Sequence, residues 1–127
     1  MSTLSVSNIT DGTDTVETGY VVNGSAKAWA HVDQETSASS VKDSLNVSSI
    51  TDNGNGKTAI NFNSSWGNVY YSFSFGVCNG GGFDDTATLN VENSQLPTVS
   101  NFRFYSFMNN ALNPAKIAAV TFHGDLA

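Results

Sequence analysis

Charge is scarce in this chain of 127 residues: Asp, Glu, Lys and Arg together make up 13%, about half the share of an ordinary soluble domain. Solubility therefore rests on the neutral polar groups of Ser, Thr, Asn and Gly. Five Lys and Arg stand against eleven Asp and Glu, a net charge of −6, so there is no basic patch to neutralise phosphates or to hold an anionic membrane surface. Nucleic acid and membrane are excluded as partners. Cysteine occurs once, at Cys78, so an internal disulfide is excluded and stability must come from packing or association. Nowhere do about 18 apolar residues follow one another, and the opening Met1-Ser2-Thr3-Leu4-Ser5-Val6 has neither a basic region nor an unbroken apolar run. Neither a signal peptide nor a membrane span is expected.

What the chain has in abundance is two-residue alternation. Thr58, Ile60 and Phe62 alternate with Ala59 and Asn61, and Leu45 and Val47 with Asn46 and Ser48, each run having one apolar face. Between the two runs, Asp52-Asn53-Gly54-Asn55-Gly56 offers side chains that tolerate or require positive φ, so residues 44–62 read as a β-hairpin. Ile50 falls out of phase with Leu45 and Val47, which predicts a bulge or register change near Ser48-Ser49.

The other segments behave alike. Ala26, Ala28, Ala30 and Val32 alternate with Lys27, Trp29 and His31, and residues 33–40 read as a polar solvent loop. The most regular strand sets Val69, Tyr71, Phe73, Phe75 and Val77 on one face; each could contribute about 1.5–3 kcal/mol if buried, which predicts a central place in the core. Ala87, Leu89 and Val91 mark a further strand. Residues 99–108 carry aromatics on both faces, Phe102 and Phe104 against Tyr105 and Phe107, and residues 116–122 form the last strand.

Seven to nine short strands punctuated by Gly, Asn, Asp and Pro, with no sustained 3.6-residue apolar period, predict an all-β fold: an antiparallel β-sandwich or jelly roll, with a flattened barrel as the alternative. Helix content should be near zero. Residues 1–22 read as an N-terminal arm with some β character and residues 23–127 as the sandwich domain.

Asn23-Gly24-Ser25-Ala26-Lys27-Ala28-Trp29, residues 43–56 and Ile60-Asn61-Phe62 resemble a pattern recurring in small structural proteins of tailed bacteriophages, particularly aquatic ones, described as tail-fibre or virion proteins. The opening residues 1–9 are also similar to the start of free-standing members. The resemblance covers residues 1–9 and 23–75, and departs from the usual pattern at Ala30-His31 and Asp33-Gln34-Glu35, where relatives tend to show Val-Asn and a Gly-rich turn. It implies a non-enzymatic virion building block, either a tail-fibre or spike component contacting the host surface or a capsid decoration protein. Trimers are common among such proteins, so a homotrimer bound to other virion proteins is the expectation.

Individual residues sort accordingly. Trp29 points away from the alanine face, which puts it under the arm or in a subunit contact, and Leu4, Val6, Ile9, Tyr20 and Val21 give the arm apolar surface to dock. Trp66, Tyr70 and Phe83 lie on or near loops beside Asn and Asp, the groups that stack on and hydrogen-bond to sugars, so a carbohydrate-binding module contacting a host surface glycan is the second reading. The bland alternative has these aromatics capping the sandwich ends. His31 and His123 stand far apart with Cys78 between them, a spacing unlike any zinc site. Asp84-Asp85 after Gly80-Gly81-Gly82 reads as a solvated loop, since adjacent carboxylates point to different sides of an extended chain. Residues 52–56 lack the alternating acidic ligands of a calcium loop. No catalytic residue, metal or cofactor is assigned.

Overall fold

The computed structural model describes residues 2–35, 38–78, 87–109 and 111–127. Its strands are β1 (Asn8–Thr10), β2 (Thr15–Glu17), β3 (Ala28–Asp33), β4 (Ser40–Leu45), β5 (Val47–Asp52), β6 (Lys57–Phe62), β7 (Ser72–Cys78), β8 (Ala87–Val91), β9 (Asn101–Met108), β10 (Ala111–Leu112) and β11 (Ile117–His123). One helix, α1 (Thr18–Gly24), lies in the arm. The all-β sandwich expectation holds.

One sheet runs β4-β3-β11-β7. In the other, β5 pairs with β6 and β6 with β9, while β8 and the two-residue β10 also pair with β9. β6 and β8 both meet Phe104 and Tyr105, so they flank β9 on opposite edges. All these pairings are antiparallel.

The sheets face each other with unlike surfaces. From the first come Ala28, Ala30, Val32, Ala118, Val120 and Phe122; from the second come Ile60, Phe62, Phe102, Phe104 and Leu89. Small side chains on one wall make room for rings on the other, and the rings meet edge to face, Phe62 on Phe122 at 5.0 Å and Phe102 on Phe122 at 4.9 Å. Such pairs add about 0.5–1.5 kcal/mol beyond their buried area.

The predicted hairpin is β5–β6, and its register shifts between Val47 and Ser49, where the phase break placed a bulge. Gly54, Asn55 and Gly56 all take positive φ in the turn. Asp52 fixes it: one carboxylate oxygen accepts from the Gly54 N–H at 2.8 Å and the other from the Ser39 N–H at 2.8 Å. Leu45, however, belongs to β4 of the opposite sheet. Asn46, with φ of 55°, makes the corner between the sheets, a backbone region that Asn tolerates better than most residues. Its side chain accepts from the Ser64 N–H at 2.7 Å.

Four further expectations need correction. β7, expected at the centre, is an edge strand with Phe73 still 38% exposed, and Val69 and Tyr70 precede it in the open. Alternation reports which side chains share a face and not where the strand sits in the sheet. Residues 33–40 are not simply a solvent loop, because Gln34 is buried and Ser40 begins β4. Helix is not absent: residues 18–24 make two turns with no buried residue and no side-chain cap, too short for a 3.6 period to register. Trp66, read as ligand-facing, is 2% exposed and stacked on Tyr71 at 4.7 Å, with Phe62 edge-on at 5.4 Å. A bridge between Trp66 and Leu126 closes that end of the sandwich, as the capping alternative has it.

Candidate functional site

Two surfaces stand out, one on the arm and one on the outer face of the second sheet. In the arm, β1 and β2 form a hairpin around Asp11, whose carboxylate accepts from the Thr13 and Asp14 N–H groups at 3.0 and 2.9 Å. Those two bonds hold the Asp11 carboxyl below its usual value. Thr18 at the start of α1 folds the leading segment back, its N–H donating to the Ser7 carbonyl at 2.9 Å and its hydroxyl to the Val6 carbonyl at 2.9 Å. The result is an apolar cleft of about 350 Å³ between residues 3–6 and the helix.

Among the described residues none of the arm's large apolar side chains is buried. Leu4 is 83% and Tyr20 72% exposed, and Val6, Ile9, Val16, Val21 and Val22 are exposed as well. The expected contact residues Leu4, Val6, Ile9, Tyr20 and Val21 therefore share one small module, joined to the body where the His123 Nδ1–H donates to the Gly24 carbonyl at 3.0 Å. Trp29 is not on that module. It sits half-buried on the outer face of the first sheet, opposite Leu45 of β4 and Thr121 of β11, turned away from Ala28 and Ala30 as its alternation requires.

The second surface has no signature in the local sequence pattern. Along β9 the odd-numbered side chains Arg103, Tyr105 and Phe107 face outward, half-buried, while Phe102, Phe104 and Ser106 face the core. Lys57 pairs with Tyr105 across β6, and Asn90 with Tyr105 across β8. Glu92 then meets Lys57 at 3.5 Å and Arg103 at 4.0 Å, and its carboxylate accepts from the Ser94 hydroxyl at 3.4 Å. Lys57, Glu92, Ser94, Tyr105 and Phe107, with Asn93 and Leu112, line a shallow cleft of about 390 Å³, and Arg103 stands beside it. Two cations around one carboxylate leave a local excess of positive charge in an acidic chain. The alternation in residues 99–108 puts Tyr105 and Phe107 on one face, but nothing local brings Lys57 and Glu92 to them.

The loop residues read as sugar-facing are not brought together. Tyr70 is 89% exposed, Trp66 is in the core, and Phe83 lies outside the described residues, as do Asp84-Asp85 and Gly80-Gly81-Gly82. Cys78 ends β7 and is exposed. Among the described residues no three His, Cys, Asp or Glu side chains gather where they could hold a metal ion, and no helix is long and apolar enough to cross a membrane.

No family model, no curated protein and no solved structure matches this chain.

Proposed function

We propose that this chain is a non-enzymatic structural protein of a tailed-bacteriophage particle, a tail-fibre or decoration component that docks through its N-terminal arm and offers the sandwich for contact. The observation that carries the reading is the arm. Seven large apolar side chains stand exposed on a small, internally hydrogen-bonded module outside the core. Apolar surface gathered in this way marks an interaction site, and here the partner is another protein of the particle. The sequence resemblance of residues 1–9 and 23–75 supports the same assignment. Labelling the protein in intact particles and imaging them tests it, and absence from purified particles overturns it.

A second reading is favoured by the cleft on the outer face of the second sheet. Tyr105 and Phe107 beside Lys57, Glu92, Asn93 and Ser94 combine apolar ring surface with donors and acceptors that are already held in place. This is the composition of a saccharide site, and a host-surface glycan is its natural ligand. A glycan array probed with the protein and with Tyr105→Ala separates the readings: binding lost in the variant supports the second, and no binding by either removes it.

A further inference from the structure

The sandwich is bordered by β4 and β5 on one side and by β7 and β8 on the other. The first side carries the devices that discourage strand addition. β4 holds exposed Lys42 and Asp43 and pairs with β3 through a register shift, and β5 holds Asp52 and the bulge at Val47. β7 carries none of these.

It pairs with β11 through seven consecutive registered positions, from Ser72 opposite His123 to Cys78 opposite Ile117, without a shift. Residues 58–83, which contain it, include no charged side chain. Phe73 and Phe75 lie on the inner face opposite Phe122 and Val120, yet Phe73 is exposed where its partner is not. Among the described residues, nothing pairs with the outer edge of 72–77.

We propose that this edge is where a second copy of the chain docks, the two β7 strands pairing antiparallel about a twofold axis into one continuous eight-stranded sheet. Charge selects the occupant. A chain of net charge −6 repels its own copies over most of its surface, and an uncharged strand is where two copies approach with least repulsion. Main-chain hydrogen bonds supply the attraction without demanding a complementary sequence, and a twofold contact needs only one surface. Centred on Phe75, the pairing sets Phe73 of each copy opposite Val77 of the other and covers the ring face now in water. This twofold contact replaces the threefold arrangement that the resemblance implies, and it is independent of where the arm docks.

Sedimentation velocity on the full chain at tens of micromolar tests the pairing. The expected species has twice the 13.4 kDa mass of one chain. The double variant Ser72→Lys/Ser74→Lys, whose new side chains lie on the exposed outer face, should halve that mass with an unchanged circular-dichroism spectrum. Ser49→Lys on β5 should leave it intact. Amide hydrogen exchange in 72–77 should slow as protein concentration rises. A monomeric parent protein overturns the proposal, as does an oligomer that survives the double substitution or shows no change of exchange in β7.

Discussion

Gln34 and Ala115 hold each other twice: the Gln34 N–H donates to the Ala115 carbonyl at 2.9 Å, and the Ala115 N–H donates to Gln34 Oε1 at 3.0 Å. The remaining end of the carboxamide crosses to the other sheet, where Nε2 donates to the Gly56 carbonyl at 2.8 Å and the Thr58 hydroxyl at 2.9 Å. All four residues are buried. One side chain thus joins the end of β3, the approach to β11 and the start of β6.

Replacing Gln34 with Leu keeps the size and removes three hydrogen bonds, leaving the Ala115 N–H without its acceptor. The expected loss is about 2–4 kcal/mol, since each stranded buried group costs about 1–3 kcal/mol. Urea unfolding of the parent and of Gln34→Leu measures it.

Two glycines of the same turn should respond differently. Gly54 and Gly56 both have φ near +75°, at 77° and 73°. A Cβ on Gly54 meets nothing within 4 Å, whereas one on Gly56 would lie 2.5 Å from the Asn113 carbonyl oxygen. Gly54→Ala should cost about 1–2 kcal/mol for its backbone conformation. Gly56→Ala adds the clash, for roughly 2–5 kcal/mol in all. Equal denaturant midpoints for the two variants would contradict this.

Tyr71 links stability to alkaline pH. Burial pushes its phenol well above the usual value, and the hydroxyl donates to the Thr98 carbonyl at 3.0 Å. Because the folded value is raised, its contribution is complete below the unfolded value of about 10 and declines as pH rises beyond it. Tyr71→Phe should lose about 1 kcal/mol at neutral pH and fall less steeply than the parent protein above about pH 10. Thermal melts at pH 8 and pH 11 compare the slopes.

At the acid end the corresponding group is Asp52, whose carboxyl is held below its ordinary value by the Gly54 and Ser39 N–H groups. A lowered folded value contributes stability above the unfolded value of about 3.9 and loses it as pH falls through the folded one. The drop in unfolding midpoint between pH 6 and pH 3 should therefore be smaller in Asp52→Asn than in the parent chain.

The arm should be separable. No residue of α1 is buried and every residue of β1 and β2 is exposed, so removing residues 2–22 should shift the unfolding free energy by no more than about 0.5 kcal/mol, the range of surface changes. A larger loss would show that the arm braces the sandwich.

Local pattern carried most of what the sequence disclosed. The sheet faces, the β5–β6 turn and the bulge at Val47 follow from alternation and from positive-φ residues, which are properties of neighbours in the chain. The inward and outward rows of β9 were readable on the same grounds. What escaped depends on partners far away in sequence. β7 alternates as a central strand would, but its place at an edge is decided by β11, some forty residues later. Gln34 looks like a loop residue until Gly56 and Ala115 surround it. Trp66 sits among Asn, Ser and Gly, a setting that suggests exposure, and only Tyr71, Phe62 and Phe122 make it a core residue. The Glu92 site is hidden for the same reason, with its two cations contributed by different strands.

The pairing of β3 with β11 has a consequence for how the molecule comes into being. The strand at 28–33 pairs with its near neighbour β4 on one edge, but its other edge, like that of β7, waits for residues 117–123, so the first sheet closes only once β11 has left the ribosome. Folding must then bridge about ninety residues in one late step, which predicts slow acquisition of structure compared with a fold built from adjacent hairpins. Until that step the uncharged strand β7 is without its partner β11, and the yield of native protein should fall as the concentration of newly made chains rises.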